Sequence, residues 1–151
     1  MFNGDELEAR AYKALARFFS YRVRTSREVF DRLKRKGFSN EEIERILESW
    51  KDKGILDDEG FARRWVHERK YKYGPLRLRS ELYSLGIDDV IVESAIAEVS
   101  REEWLEILRE RISSEKFNPN SKPERAKLIR RFLTRGFPKD MILEVLRDVS
   151  S

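Results

Sequence analysis

The apolar residues of this chain follow one pattern three times. Counted from Gly37, Gly86 and Gly136, which lie 49 and 50 residues apart, apolar residues recur six, nine, ten and thirteen positions later. They are Ile43, Ile46, Leu47 and Trp50, then Val92, Ala95, Ile96 and Val99, then Ile142, Val145, Leu146 and Val149. This spacing is one face of an amphipathic helix, so a helix is predicted after each glycine.

A second helix is predicted to end at each glycine, which is the usual residue after a helix C-terminus. Apolar residues stand eight and four positions before it, namely Val29 and Leu33, Leu78 and Leu82, and Leu128 and Phe132. A third helical pattern lies upstream, over residues 11–20, 60–72 and 102–113, with Tyr12 and Phe61 each 25 residues before its glycine. No alternating pattern typical of strands reaches a useful length.

We therefore expect an all-α fold of three tandem three-helix repeats, in an elongated, curved array. The predicted boundaries are an N-terminal segment at 1–10 and repeats at 11–54, 55–100 and 101–151, the last with a loop at 117–123. Ser39 with Glu42 is a predicted capping box and Asp88 a predicted N-cap, whereas Pro138 is expected to change the third helix start.

The acidic run Asp57-Asp58-Glu59 follows Gly54 and precedes a predicted helix. An aspartate there can cap the free amides of the first turn and favour the positive end of the helix dipole. A metal site would need further ligands, and the only histidine, His67, is expected to face solvent or a partner. We interpret the run as a helix start. The core positions predicted to join the first two repeats are Leu56, Phe61, Ala62 and Trp65.

The composition excludes several classes of protein. No cysteine is present, which excludes disulfides, thiol catalysis and thiolate metal sites. Without a signal-peptide pattern or a run of about 20 apolar residues, a cytoplasmic protein with no membrane span is expected. No phosphate-binding glycine motif or nucleophile elbow occurs, and an exposed helical array usually binds rather than catalyses, so we expect no enzyme and no metal. The lack of glutamine and the many charged residues favour an organism growing at high temperature.

Charge is distributed in bands along the chain. Residues 10–37 hold ten Lys and Arg against two acids, and residues 62–79 hold seven against one, with a further basic run at 125–135. Residues 38–61 hold eight acids against three bases, and residues 80–110 hold nine against two. Basic bands suit DNA phosphates, banded charge also suits a protein with complementary patches, and ion pairs on a heat-adapted surface explain part of the pattern.

Three stretches together resemble the RecX family of regulators. The first is GILDDEGFARRWVHER at 54–69, whose family-like positions are Gly54, Leu56, Asp57, Asp58, Phe61, Ala62, Trp65 and Arg69. The others are RTSREVFDRLKRKGF at 24–38 and GPLRLRSELYSLGI at 74–87. The resemblance covers nearly the whole chain, although the third repeat matches mainly in its apolar spacing.

The resemblance implies a bacterial modulator of the RecA recombinase. RecX proteins consist of tandem three-helix repeats, bind RecA nucleoprotein filaments along their groove, and inhibit filament growth, ATP hydrolysis, strand exchange and co-protease activity. Such a protein would modulate homologous recombination, DNA repair and the SOS response. The family has no cofactor or catalytic residue, and some members also bind DNA, so RecA and single- or double-stranded DNA are the expected partners of a monomer.

We chose candidate partner-binding residues from the basic bands lying off the apolar stripes. They are Arg24, Arg27, Arg32, Arg63, Arg64, Arg69, Lys70, Tyr71, Lys72 and Arg77. Tyrosines interleaved with basic residues suit base stacking or a protein hot spot. The alternative function is a stand-alone helical DNA-binding module. A third alternative, a metal-dependent hydrolase, would use Asp57, Asp58, Glu59 and His67.

Overall fold

A computed structural model describes residues 4–150 of the chain. Within this range the chain forms nine α-helices and no strand. The helices are α1 (Gly4–Tyr21), α2 (Ser26–Arg35), α3 (Asn40–Asp52), α4 (Asp58–Arg69), α5 (Pro75–Ser84), α6 (Asp89–Ala97), α7 (Arg101–Ser113), α8 (Lys122–Thr134) and α9 (Lys139–Ser150). We call α1–α3 unit 1, α4–α6 unit 2 and α7–α9 unit 3. The predicted all-α fold of three tandem three-helix units is confirmed.

The three repeated glycines end α2, α5 and α8 in the same way. Gly37 has a φ of 95°, and there the amide of Phe38 donates to Leu33 O and the amide of Gly37 to Lys34 O, each at 3.1 Å. This pair of bonds is a Schellman motif, which requires a left-handed residue at its centre. The same bonds and a positive φ recur at Gly86 and Gly136, so the predicted helix ends are confirmed.

Several helix starts also agree with the sequence. Ser39 accepts a hydrogen bond from the Glu42 amide, and the Glu42 carboxylate accepts one from the Ser39 amide, which completes the predicted capping box. Asp57 accepts from the amide of Gly60 at 3.0 Å, as expected of an N-cap. Asp88 occupies the N-cap of α6 without a side-chain hydrogen bond. The expectation that Pro138 changes the start of the third helix is wrong in position. Helix α9 begins at Lys139, three residues after its glycine, as α3 and α6 do, because the Pro138 carbonyl can still accept the first helical hydrogen bond, from the Ile142 amide.

Some helix bounds and one equivalence differ from the prediction. Helix α1 begins at Gly4 rather than near residue 11, because Leu7 packs into the core with Ala11 and Leu15. The α8 helix begins at Lys122, so the last two residues of the predicted 117–123 loop are helical. Tyr12 is 50% exposed whereas Phe61 is 8% exposed, so the two are not equivalent.

The buried apolar residues form two clusters. One contains the buried apolar residues of unit 1 together with Leu56, and the other extends across units 2 and 3. Almost all the predicted apolar stripes are buried, with Leu47, Val99 and Val149 half-buried at the edges. Of the four predicted joining positions, Leu56 belongs to the first cluster, Phe61 and Ala62 belong to the second, and Trp65 packs against the second while partly exposed.

Consecutive units are joined by one repeated contact. Thr25, the N-cap of α2, donates its hydroxyl to the carbonyl of Leu85, the C-cap of α5, at 2.7 Å. Gly74, the N-cap of α5, donates its amide to the carbonyl of Arg135, the C-cap of α8, at 2.8 Å. The second helix of unit 1 and that of unit 2 therefore each start against the glycine turn of the next unit. We call these contacts the joints.

Candidate partner-binding surface

A row of alternating rings and guanidinium groups crosses α4 and α5. The Arg69 guanidinium lies 4.7 Å from the ring centroids of both Trp65 and Tyr73, and that of Arg77 lies 4.0 Å from Tyr73. We call these four residues the ladder. Helical spacing places Trp65 and Arg69 one turn apart on α4, and Tyr73 lies between α4 and α5. Each stacked cation contributes roughly 0.5–2 kcal/mol, depending on how far it is desolvated.

Glu81 fixes the ladder from α5. Its carboxylate accepts from Arg69 Nε at 3.1 Å, from Arg69 Nη2 at 2.6 Å and from Trp65 Nε1 at 3.2 Å. The Arg77 Nε lies 3.7 Å from the same carboxylate. A bidentate guanidinium–carboxylate pair has little freedom of orientation, so the ladder is preorganised for contact.

Two grooves meet at Trp65. The first, of about 350 Å³, is mainly apolar and is lined by Arg22, Val23, Phe61, Arg64, Trp65 and Glu68. The second, of about 440 Å³, is lined by Trp65, Arg77, Ser80, Glu81, Ser84 and Leu85. Residues 22 and 23 come from unit 1, so the first groove lies between units 1 and 2. An indole between two concave surfaces, with arginine and tyrosine nearby, has the composition of protein-interface hot spots.

Four of the candidate contact residues are exposed on α4 or directly after it. Arg63, Arg64 and Lys72 are exposed and make no ion pair within the described part of the chain, although Lys72 Nζ lies 5.5 Å from the Tyr73 ring. Tyr71 is 56% exposed. A partner can therefore reach these side chains without breaking an internal ion pair.

Two candidates instead have internal roles. The Arg24 side chain is 12% exposed, donates twice to the Phe18 carbonyl at 3.1 Å, and pairs with Glu28 at 3.4 Å. Lys70 is 8% exposed and its ammonium lies 2.9 Å from the Glu103 carboxylate of unit 3. That hydrogen bond raises the pKa of Lys70 despite the burial of the amine. Both side chains hold elements together and present little surface to a partner.

The remaining two candidates lie on α2, away from the ladder. The Arg32 guanidinium lies 4.5 Å from the Phe18 ring. Arg27 is exposed, pairs with Asp31 at 3.3 Å, and its aliphatic carbons lie against Gly86 in the first joint. The ten candidates therefore do not form one continuous site.

The acidic run has a structural role in two helices. Beside the Asp57 cap on α4, Asp58 Oδ1 accepts a hydrogen bond at 2.9 Å from the amide of Ser26 in the first turn of α2. His67 is exposed, as predicted. Within residues 4–150 no group of three or more acids and histidines is arranged to hold a metal ion. None of the helices described there is long and apolar enough to cross a membrane.

Sequence reasoning missed two residues of this surface. Glu81, which fixes the ladder, lies in an acidic band. The candidates were chosen from basic and tyrosine-rich stretches, so composition did not point to it. The signal that could have identified it is spacing, because residues 77 and 81 lie one turn apart on a helix. Val23, an exposed apolar residue at a groove, lies in the linker between α1 and α2, where no periodicity applies.

Comparisons with known proteins agree with this architecture. The family model described as RecX, first three-helix domain, matches residues 11–49, and that of RecX, second three-helix domain, matches residues 57–96. A crystal structure of RecX from Lactobacillus salivarius superposes with a TM-score of 0.79 at 23% identity, over 97% of this chain and 98% of that chain. The fold is therefore shared along almost the whole chain.

Two curated relatives carry the same description, Regulatory protein RecX. The protein from Legionella pneumophila is 30% identical over 146 residues, which are 94% of this chain and 96% of the relative. The protein from Geobacillus kaustophilus is 32% identical over 149 residues, but this chain spans only 55% of its length. From the two matched domains, the shared fold and the similarity over nearly the full Legionella protein, the chain belongs to the RecX family of regulatory proteins.

Proposed function

We propose that this protein binds the RecA nucleoprotein filament and inhibits RecA ATP hydrolysis, strand exchange and co-protease activity. It would thereby modulate recombination, DNA repair and the SOS response in the cytoplasm, acting as a monomer without a cofactor. The observation that carries the proposal is membership of the RecX regulatory family, together with the preorganised ladder on the surface of unit 2.

The joints suggest how such a chain acts on a polymer. Three units held in series offer several contact patches at fixed spacing, and linked weak contacts combine into strong overall binding when the geometry allows them together. A chain that touches neighbouring RecA subunits would obstruct both filament extension and the subunit motion that accompanies ATP turnover.

The ladder and its exposed neighbours are the contact surface that we propose within this function. Trp, Tyr and Arg supply most of the binding energy at protein interfaces, and the ladder combines all three. Arg64, Tyr71 and Lys72 would add cations and a ring available to the partner, while Arg63, which lines a groove with residues of α6, would contact it from the other side of α4. Arg69 belongs to this surface through stacking, but its charge is already paired with Glu81.

Co-sedimentation tests the proposed binding directly. RecA filaments on single-stranded DNA are pelleted with this protein, using RecA from the same organism, and the pelleted fraction is compared with that on the same DNA coated by an unrelated single-strand binding protein. We expect co-pelleting with RecA filaments only. Equal amounts in both pellets would show that RecA is not the target.

A stand-alone DNA-binding module remains the second candidate because of α8. Lys122, Lys127 and Arg130 are exposed there and make no ion pair within residues 4–150. Such cations suit phosphate contacts, and their binding would weaken steeply with salt. Tight binding to duplex DNA without RecA, lost when these three residues are changed to alanine, would favour this candidate.

A further inference from the structure

A third concave surface lies on unit 1, between α1 and α2. It has a volume of about 250 Å³ and is lined by Ala14, Arg17, Phe18, Tyr21, Arg32 and Lys36. Three of these six residues are cations and none is an acid. We call it the α1–α2 groove. Its lining shares no residue with the ladder or with the grooves beside Trp65.

The cations of this groove lack the internal partners common elsewhere in the chain. Arg17 and Lys36 are exposed and make no ion pair or side-chain hydrogen bond within the described residues, and Arg32 is held only against the Phe18 ring. By contrast, Arg22, Arg24 and Arg27 in the same unit each pair with a carboxylate. Converging like charges repel one another unless an anion lies between them, so the groove is suited to an anionic ligand.

The neighbouring glycine turn is also uncovered. In units 2 and 3 the equivalent turns are covered by the preceding unit. A Cβ at Gly86 would collide with Arg27, and one at Gly136 would collide with Arg77. A Cβ at Gly37 would meet nothing within 4 Å, and the carbonyl of Lys36 accepts no hydrogen bond from another unit within residues 4–150. This end of the molecule therefore leaves a joint-like surface open beside the basic groove.

We propose that the α1–α2 groove binds a short acidic peptide segment of a partner protein. The planar guanidinium of Arg32, held by stacking, can donate two parallel hydrogen bonds to a carboxylate, while Arg17 and Lys36 supply further charge. This site lies apart from the ladder, so the inference goes beyond the proposed function and does not depend on it.

A nucleic acid fits the groove less well for two reasons. Stacking of successive bases needs several free aromatic faces, but the guanidinium groups of Arg24 and Arg32 already lie against the Phe18 ring, at 3.9 and 4.5 Å, so of the two rings in the groove only Tyr21, 69% exposed, has a free face. A nucleic-acid backbone also needs a long track of cations, whereas the chain becomes acidic directly after this unit's second helix, over residues 38–61. A short segment with a few carboxylates needs no such track.

Fluorescence anisotropy with a labelled oligoglutamate peptide tests this site without RecA. The full chain is compared with the double variant Arg17→Ala and Lys36→Ala, and with the matched control Lys139→Ala and Arg147→Ala. The control removes two exposed, unpaired cations from α9, so both variants have the same net charge. All four residues are exposed, and circular dichroism confirms that each variant folds.

We expect the groove variant to bind the peptide about tenfold more weakly than the control, since it loses two of the three cations that line the groove. Equal weakening in both variants would show that net charge alone attracts the peptide, which would overturn the proposal. So would a peptide that does not bind, or a labelled oligothymidylate that binds more tightly than the peptide and is released by the groove variant alone.

Discussion

At the scale of single residues, Asp58 shows how an acidic sequence motif can join two units. Its carboxylate accepts the Ser26 amide at 2.9 Å, so one side chain of unit 2 caps a helix of unit 1. Glu59, its neighbour, is exposed and makes no side-chain hydrogen bond or ion pair within residues 4–150. Two of the three acids that could suggest a metal site therefore act as helix caps, Asp57 within its own helix and Asp58 on a helix of unit 1.

We expect Asp58→Ala to lower the free energy of unfolding by about 1–2 kcal/mol, because the Ser26 amide loses its partner at a partly buried contact between units 1 and 2. Glu59→Ala is the matched control and should change it by less than about 0.5 kcal/mol. Urea denaturation followed by circular dichroism measures both. Equal losses of stability in the two variants would mean that the contact between units 1 and 2 does not depend on this hydrogen bond.

Glu28 makes stability depend on pH at the start of α2. Burial by itself would raise the pKa of Glu28, but the hydrogen bonds from Arg22 and from the Thr25 amide, with the charges of Arg22 and Arg24, lower it overall. A carboxylate whose pKa is lowered by folding stabilises the protein above the pKa of the unfolded chain, about 4.3 for glutamate. That contribution is lost as the pH falls from there through the lowered pKa.

The protein should therefore be more stable than its Glu28→Gln variant at pH 7, with a difference in Tm that shrinks below about pH 4. Thermal unfolding of both proteins at several pH values provides the measurement. A Tm difference that is the same at pH 7 and pH 3 would contradict the role of the ionised carboxylate.

At the scale of helices and turns, comparing two glycine turns distinguishes the cost of backbone strain from the cost of disturbing the packing between units. Gly37 and Gly136 have nearly equal φ values, 95° and 97°, but only Gly136 lies against another unit. A Cβ there would meet the backbone of Arg77, which cannot move aside as a flexible side chain could.

Gly37→Ala should cost about 1–2 kcal/mol from the left-handed backbone alone. Gly136→Ala should cost at least about 1 kcal/mol more, since the added methyl overpacks the joint. Chemical denaturation of the two variants gives the difference. Equal costs would mean that units 2 and 3 are not held tightly at this turn.

The helices were predictable from the sequence because each depends on local signals. Apolar spacing, glycine ends and the Ser39–Glu42 capping box identified the elements, and tertiary packing agreed with them. The start of α1 was not predictable, since it depends on the packing of Leu7 into the core of unit 1. The predicted equivalence of Tyr12 and Phe61 was wrong for a similar reason. Counting back from a glycine assumes that the linker between the first two helices has the same geometry in both units.

The candidate site was less predictable than the fold. Basic composition selected Arg24 and Lys70 together with exposed cations, but the pairing of Lys70 with Glu103 joins residues 33 positions apart. No local pattern reveals such a contact. The family motif likewise marks Trp65 and Arg69 without showing that Glu81 holds both.

At the scale of the whole molecule, the exposed cations around the ladder should affect inhibition without affecting the fold. Changing Arg64 and Lys72 together to Glu should weaken inhibition of RecA ATPase, while Lys116→Glu with Arg147→Glu, the charge-matched control, should not. The double variant Arg69→Glu and Lys72→Glu is a less specific test of the surface, because a glutamate at position 69 would face Glu81 and disturb the ladder. If the first variant and its control inhibit equally, the ladder surface is not the contact.

The central claim is that the protein acts on the RecA filament, and ATP turnover tests it most directly. The single-stranded-DNA-dependent ATPase rate of RecA from the same organism is measured while this protein is added well below one copy per RecA, with and without excess bare DNA. We predict inhibition at these substoichiometric amounts that bare DNA does not relieve. No inhibition, or inhibition abolished by the competitor DNA, would contradict action on the filament and favour a DNA-binding module instead.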